Sequence, residues 1–126
     1  MQIQRNADLQ PYNTFGIKAH AALLGRFSST AQLRELLAMP DLEGMPKLFL
    51  GGGSNLLFTQ DFEGAVFLNE IPGIAVVKED ADHVWVRAGA GVVWHNFVLH
   101  CVANGWGGVE NLSLIPGKVG AAPMQN

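Results

Sequence analysis

The sequence is poor in what several classes of protein require. It has a single cysteine, Cys101, so no disulfide can form within the chain, a usage that fits a reducing compartment. Only 15% of the 126 residues are charged, and the formal net charge is −3. This leaves neither the basic footprint of a nucleic-acid binder nor a polybasic membrane patch, so neither partner is expected. No apolar run approaches the ~18 residues of a membrane-spanning helix. The opening residues, Met1-Gln2-Ile3-Gln4-Arg5-Asn6, lack the apolar stretch of a secretory signal. A cytoplasmic location is the expectation. His95 and His100 lie five apart on one expected helix and do not share a face, and no Cys or carboxylate set completes them. No metal site is expected.

Glycine, in contrast, is abundant. Fifteen glycines make about 12% of the chain, against a usual ~7%. They cluster at Gly51-Gly52-Gly53, at Gly89 and Gly91, at Gly105, Gly107 and Gly108, and at Gly117 and Gly120. Glycines that follow apolar runs let the backbone approach a ligand or another strand closely. With 48% hydrophobic residues the chain can also bury a core.

Periodicity divides the chain into elements. Residues 21–27 read as a strand. Ser29 caps a helix carrying Leu33, Leu36 and Leu37 on one face, with Gln32 at capping-box spacing and Pro40 as the stop. Lys47 to Leu50 reads as a buried strand, Leu56 to Phe58 as an apolar patch and Ala65 to Leu68 as another strand. Pro72-Gly73 marks a boundary, giving units 1–72 and 73–126. Beyond it, Ile74–Lys78 and His83–Arg87 read as an antiparallel hairpin with a half-exposed face, Val84 and Val86 facing one way and His83, Trp85 and Arg87 the other. A helix over 92–103 presents Trp94, Phe97, Val98 and Cys101, and Asn104-Gly105 stops it. Residues 106–126 read as loop. The pattern is α/β or α+β. The apolar ending at Pro123-Met124-Gln125-Asn126, without a cap or final element, is expected to be a cut within a domain.

Two stretches carry chemistry. Leu50-Gly51-Gly52-Gly53-Ser54-Asn55-Leu56 follows a strand, and successive N–H groups there can form a nest for a phosphate or diphosphate. The spacing is neither the Rossmann fingerprint nor a Walker loop. Gly107 to Asn126 combines small residues, an apolar set (Ile115, Val119, Met124) and two amides (Gln125, Asn126), which suits a flat heteroaromatic ring. Cys101 falls on an apolar helix face and reads as an inert thiol. Lys118 could approach a phosphate, but the favoured reading is a solvent-facing lysine. Glu110-Asn111 reads either as a brace for the loop or as plain surface.

Together with Pro11-Tyr12-Asn13-Thr14-Phe15-Gly16, Ala88-Gly89-Ala90-Gly91 and Trp94, and with Glu110-Asn111-Leu112-Ser113-Leu114-Ile115-Pro116-Gly117 onward, these blocks run in one order along the whole chain. The chain thereby resembles the UDP-N-acetylenolpyruvoylglucosamine reductase family, FAD enzymes of bacterial peptidoglycan precursor synthesis. The resemblance implies an α+β fold: the FAD-binding domain of the vanillyl-alcohol-oxidase (PCMH) type, with its first subdomain complete and its second truncated. It implies that Gly51, Gly52, Gly53, Ser54, Asn55 and Leu56 hold the FAD diphosphate. Ile115, Pro116, Gly120, Ala121, Ala122, Met124 and Gln125 would line the flavin pocket. NADPH would reduce the flavin, and the substrate would be UDP-N-acetylglucosamine enolpyruvate. The family's catalytic arginine, glutamate and serine lie beyond the last position, as does its substrate domain, so no catalytic residue is assigned. The full enzyme is expected to be a monomer, and the 126-residue chain to self-associate through an unpaired sheet edge. The alternatives are another flavoprotein oxidase of the same fold, or a non-catalytic nucleotide-binding module.

Overall fold

The computed structural model describes residues 2–54 and 56–125, with the backbone alone at Gln125. One four-stranded sheet organises the first part of the chain. Its strands are β1 (Gln2–Asp8), β2 (His20–Phe27), β3 (Lys47–Leu50) and β4 (Phe62–Asn69), in the spatial order β1-β2-β4-β3. β1 runs antiparallel to β2, whereas β4 runs parallel to both β2 and β3. The central place of β4 follows from its sequence. Gly64 to Leu68 is an unbroken buried run, as a strand covered on both faces requires. Val66 and Leu68 join Leu9, Ala19, Ala21, Leu24, Leu50 and Phe58 in one core cluster. Ala65 and Phe67 join Leu23, Phe27, Leu36 and Leu42 in the other. Strict alternation would put Ala21 and Leu23 together. A register shift between them sends each to a different cluster.

Helix α1 (Thr30–Leu37) covers the second cluster. Ser29 Oγ accepts the Gln32 N–H at 3.1 Å, and Gln32 Oε1 accepts the Ser28 N–H at 2.8 Å. The reciprocal half of the capping box thus lands one residue earlier than its usual place. Leu36 is buried, Leu33 half-buried and Leu37 exposed, so the apolar face is narrower than the leucine spacing alone implies. Glycine at position 25 lets the helix close down: a Cβ there would stand 3.0 Å from Phe67 Cδ1 and 3.2 Å from Leu36 Cδ2.

Two strands depart from the sequence expectation. β1 is invisible to periodicity because it is a polar edge strand with Ala7 alone buried. β3 is an edge strand too, not a buried one. Lys47 and Phe49 are exposed, and Phe49 spends its ring on Phe67 at a centroid distance of 5.3 Å.

After Gly73 the chain forms a two-stranded sheet, β5 (Ile74–Glu79) with β6 (Val84–Ala88), antiparallel and, among the described residues, paired with no third strand. Asp80 Oδ1 closes their turn by accepting from Asp82 N and His83 N. Val84 and Val86 are half-buried while Trp85 and Arg87 are exposed, the alternation expected. Helix α2 (Trp94–Ala103) buries Val98 and Cys101. It ends at Gly105 (φ +72°), where Gly105 N–H donates to Val102 O and Trp106 N–H to Cys101 O. That pair of bonds is a Schellman motif, as Asn104-Gly105 predicts. The remainder is more ordered than a loop, with single turns at Glu110–Leu112 and Val119–Ala121 and a last helical turn, α3 (Ala122–Gln125). Among the described residues no helix is long and apolar enough to cross a membrane.

Candidate functional site

Parallel strands leave their carboxyl ends open to ligands. Here the ends of β2, β3 and β4 bring Arg26, Leu50-Gly51 and Leu68-Asn69-Glu70 to one place. The glycine loop leaves from that edge and is held from two sides.

The front wall is the turn 10–17. Asn13 is buried, and its amide donates to Leu9 O at 2.8 Å and Ile17 O at 3.1 Å while its Oδ1 accepts from Ile17 N at 2.9 Å. This braced turn presses on Gly53. A Cβ at Gly53 would lie 2.0 Å from Tyr12 O, and its φ of +70° is left-handed. Thr14 N–H donates to Gly53 O at 3.1 Å. Position 53 therefore demands glycine for both space and conformation.

The back wall is the segment 117–121. A Cβ at Gly52 would lie 3.2 Å from Gly117 Cα, and one at Gly51 would lie 3.7 Å from Lys118 Cβ and Cγ and 3.8 Å from Ala121 Cβ. The segment is anchored to the start of α2: Trp94 N–H donates to Gly117 O at 3.0 Å, Val119 N–H to Val92 O at 2.8 Å and Gly120 N–H to Ala90 O at 3.1 Å. Farther out, the Trp94 indole N–H donates to Leu112 O at 2.8 Å, and His95 Nδ1 accepts the Leu114 N–H at 3.0 Å. Leu114 sits at φ +63°, a costly conformation for leucine that this contact helps to hold. Gly89 and Gly91 dovetail with residues 70–73. Cβ atoms there would fall within 2.2–2.7 Å of Glu70, Ile71 and Pro72 backbone.

Two adjoining hollows result, sharing Gly51 and Asn69. One, of about 180 Å³, is polar and includes Tyr12, Arg26, Gly52, Glu70 and Lys118. Within it Arg26 pairs with Glu70 (Nη1–Oε1 2.5 Å), bonds the Tyr12 hydroxyl, and lies over the Tyr12 ring at 5.0 Å. The other, of about 310 Å³, is mostly apolar and includes Phe49, Leu50, Ala90, Gly120, Ala121 and Met124. Among the described residues the Gly52 and Gly53 N–H groups make no hydrogen bond. A third hollow of about 330 Å³ runs along β1 and β2; it shares Arg26 with the polar hollow and contains none of the glycine-loop residues. Burial raises the pKa of the Cys101 thiol, which fits an inert packing role. The Glu110 carboxyl is held below its ordinary range by backbone N–H groups, its own first and then those of Gly108 and Val109; Gly108 N–H lies 2.5 Å from Oε2.

The residues expected from sequence separate in space. Gly51, Gly52, Gly120, Ala121 and Met124 line the hollows, Gly53 is buried against the turn 10–17, and Ser54 is half-buried beside it. Leu56 packs against the first core cluster. Ile115 and Ala122 are half-buried and Pro116 exposed, and none of the three lines either hollow. Asn55 lies outside the described residues, as does the side chain of Gln125. Sequence reasoning missed Arg26, Phe49, Asn69 and Glu70, whose signal is their place at strand carboxyl ends. Lys118, read as solvent-facing, is half-buried and lines the polar hollow.

Comparison with known proteins bears on this arrangement. The family described as FAD binding domain matches residues 21–126. The chain is 51% identical over 126 residues to the UDP-N-acetylenolpyruvoylglucosamine reductase of Amoebophilus asiaticus (strain 5a2), covering 100% of the chain and 37% of that protein. It is 54% identical over 130 residues to the reductase of that name from Azoarcus sp. (strain BH72), covering 100% of the chain and 38% of that protein. The solved UDP-N-acetylenolpyruvylglucosamine reductase from Thermus caldophilus superposes with a TM-score of 0.70 at 27% identity, over 97% of the chain and 41% of that structure. The chain thus spans well under half the length of these relatives.

Proposed function

The chain belongs to the FAD binding domain family, and on that premise we propose that it is the cofactor-binding part of a UDP-N-acetylenolpyruvoylglucosamine reductase. That enzyme would use NADPH and FAD to reduce the enolpyruvyl group of UDP-N-acetylglucosamine enolpyruvate, giving UDP-N-acetylmuramate. The relatives that carry the reductase name support this reading. So does the site, because its residues fit FAD. The Gly52 and Gly53 N–H groups have no acceptor among the described residues and suit a diphosphate. The apolar hollow suits a flat ring.

FAD, when bound, supplies the hydride chemistry, and the chain supplies binding and orientation. In this reading the Gly51–Ser54 loop holds the diphosphate with its backbone, Asn55 assists, and Leu56, packed against the first core cluster, anchors the end of the loop. Gly120, Ala121 and Met124 bear on the ring, while Ile115, Pro116, Ala122 and Gln125 complete its surroundings. Residues 1–72 form one subdomain and 73–126 part of a second. No residue of this chain is given a catalytic role. The setting is cytoplasmic, with a small-molecule substrate.

The observation that carries the reading is the meeting of Gly51 and Gly52 with Gly117, Lys118 and Ala121 at the carboxyl ends of parallel strands. An FAD titration of the chain, followed by flavin fluorescence, tests it. The wild type is expected to bind saturably. Gly52→Val, whose Cβ would crowd Gly117 at 3.2 Å, is expected to bind at least about tenfold more weakly, ~1.4 kcal/mol. A wild type that takes up no FAD contradicts the proposal.

A further inference from the structure

We infer that Lys118 is a diphosphate-binding residue, the cation that neutralises the phosphate charge of the dinucleotide beside the glycine loop. The inference rests on the FAD reading above and assigns a charge that the loop itself lacks. Glycine N–H groups are neutral donors, whereas a diphosphate carries formal negative charge.

Three observations converge on this residue. The first is position. Lys118 is half-buried and lines the polar hollow together with Gly51 and Gly52. Its Cβ and Cγ lie 3.7 Å from the point where a Gly51 Cβ would stand, so the lysine stem runs at van der Waals distance alongside the glycine loop. The second is fixation. Lys118 bridges to Val93, its carbonyl accepts the Ala121 N–H at 3.1 Å, and its neighbours Gly117 and Val119 are each bonded to the 92–94 backbone. The stem therefore starts from a fixed point. The third is charge. Arg26, the other cation of the hollow, is already committed to Glu70 and Tyr12. That pair is neutral in sum, and its carboxylate would repel an incoming anion. Among the described residues Lys118 makes no ion pair. A lysine suits this task as a mobile point charge rather than a shaped fork.

The test measures FAD affinity at low and at high salt for the wild type, Lys118→Met and Lys118→Arg. Met keeps most of the stem and removes the charge. Lys118→Met is expected to weaken FAD binding about tenfold at low salt, the scale of one charge-assisted hydrogen bond. The difference should shrink at high salt, because screening acts on the charge and not on packing. Lys118→Arg should recover most of the affinity. A loss of equal size at both salt concentrations that Arg does not recover would assign Lys118 to packing and overturn the inference. Wild-type binding with an unaltered Lys118→Met also overturns it, while leaving the FAD reading intact. A wild type that binds no FAD overturns both.

Discussion

Asn13 is, among the described residues, the buried polar side chain of the core, and it shapes the site without lining it. Its three hydrogen bonds close the turn whose Tyr12 carbonyl abuts Gly53. Asn13→Ala would leave two buried carbonyls and an N–H without this partner. We expect a loss of about 1–3 kcal/mol in urea unfolding, and an unchanged midpoint would refute the brace. The sequence marks Asn13 as a turn residue; it does not mark the carbonyls it serves, because they come from positions four residues to either side. Glu110 shows the same limit. Its backbone contacts lower its pKa, so they favour the folded loop above the ordinary glutamate range and are lost as pH falls through the depressed folded value. The Gly108 amide resonance is expected to titrate with a midpoint below that of an unperturbed glutamate. A midpoint at the ordinary value would show that the contact is not formed in solution.

Elements were legible where one face is buried and obscure where none is. The 3.6-residue period of Leu33, Leu36 and Leu37 locates α1, and unbroken apolarity locates β4. β1 escapes because its neighbours leave it at an edge with one buried side chain. β3 is found but misjudged, since apolar composition does not say which strand ends beside solvent. The helix offers a direct check on packing. Leu36→Ala is expected to cost about 2–5 kcal/mol, because the residue is fully buried between the sheet and Met39 and Leu42. Leu37→Ala, at 43% exposure, should cost well below that, within ~1 kcal/mol. Equal losses in thermal unfolding would mean that the helix is rotated from the orientation described.

At the scale of the whole molecule, the site joins segments that lie far apart in the chain. The glycine loop and the 117–121 segment were each legible from composition, and their resemblance to one family linked them. Their contact was not legible, because it depends on Gly89, Ala90 and Gly91 fitting between residues 70–73 and Gly120. Nor did the sequence single out Arg26, Asn69 and Glu70, which reach the site only because three parallel strands end together. The exposure of Val76 and Val77 on the two-stranded sheet likewise becomes apparent only in the fold. In the proposed function one cofactor touches both segments. Amide chemical-shift mapping during an FAD titration is the measurement that decides this. The predicted result is perturbation at Gly51–Ser54 and at Gly117–Ala121 together, with a common dissociation constant. Shifts confined to one segment, or centred on Gln2, Ile3 and Gln4 along the hollow of β1 and β2, would contradict it.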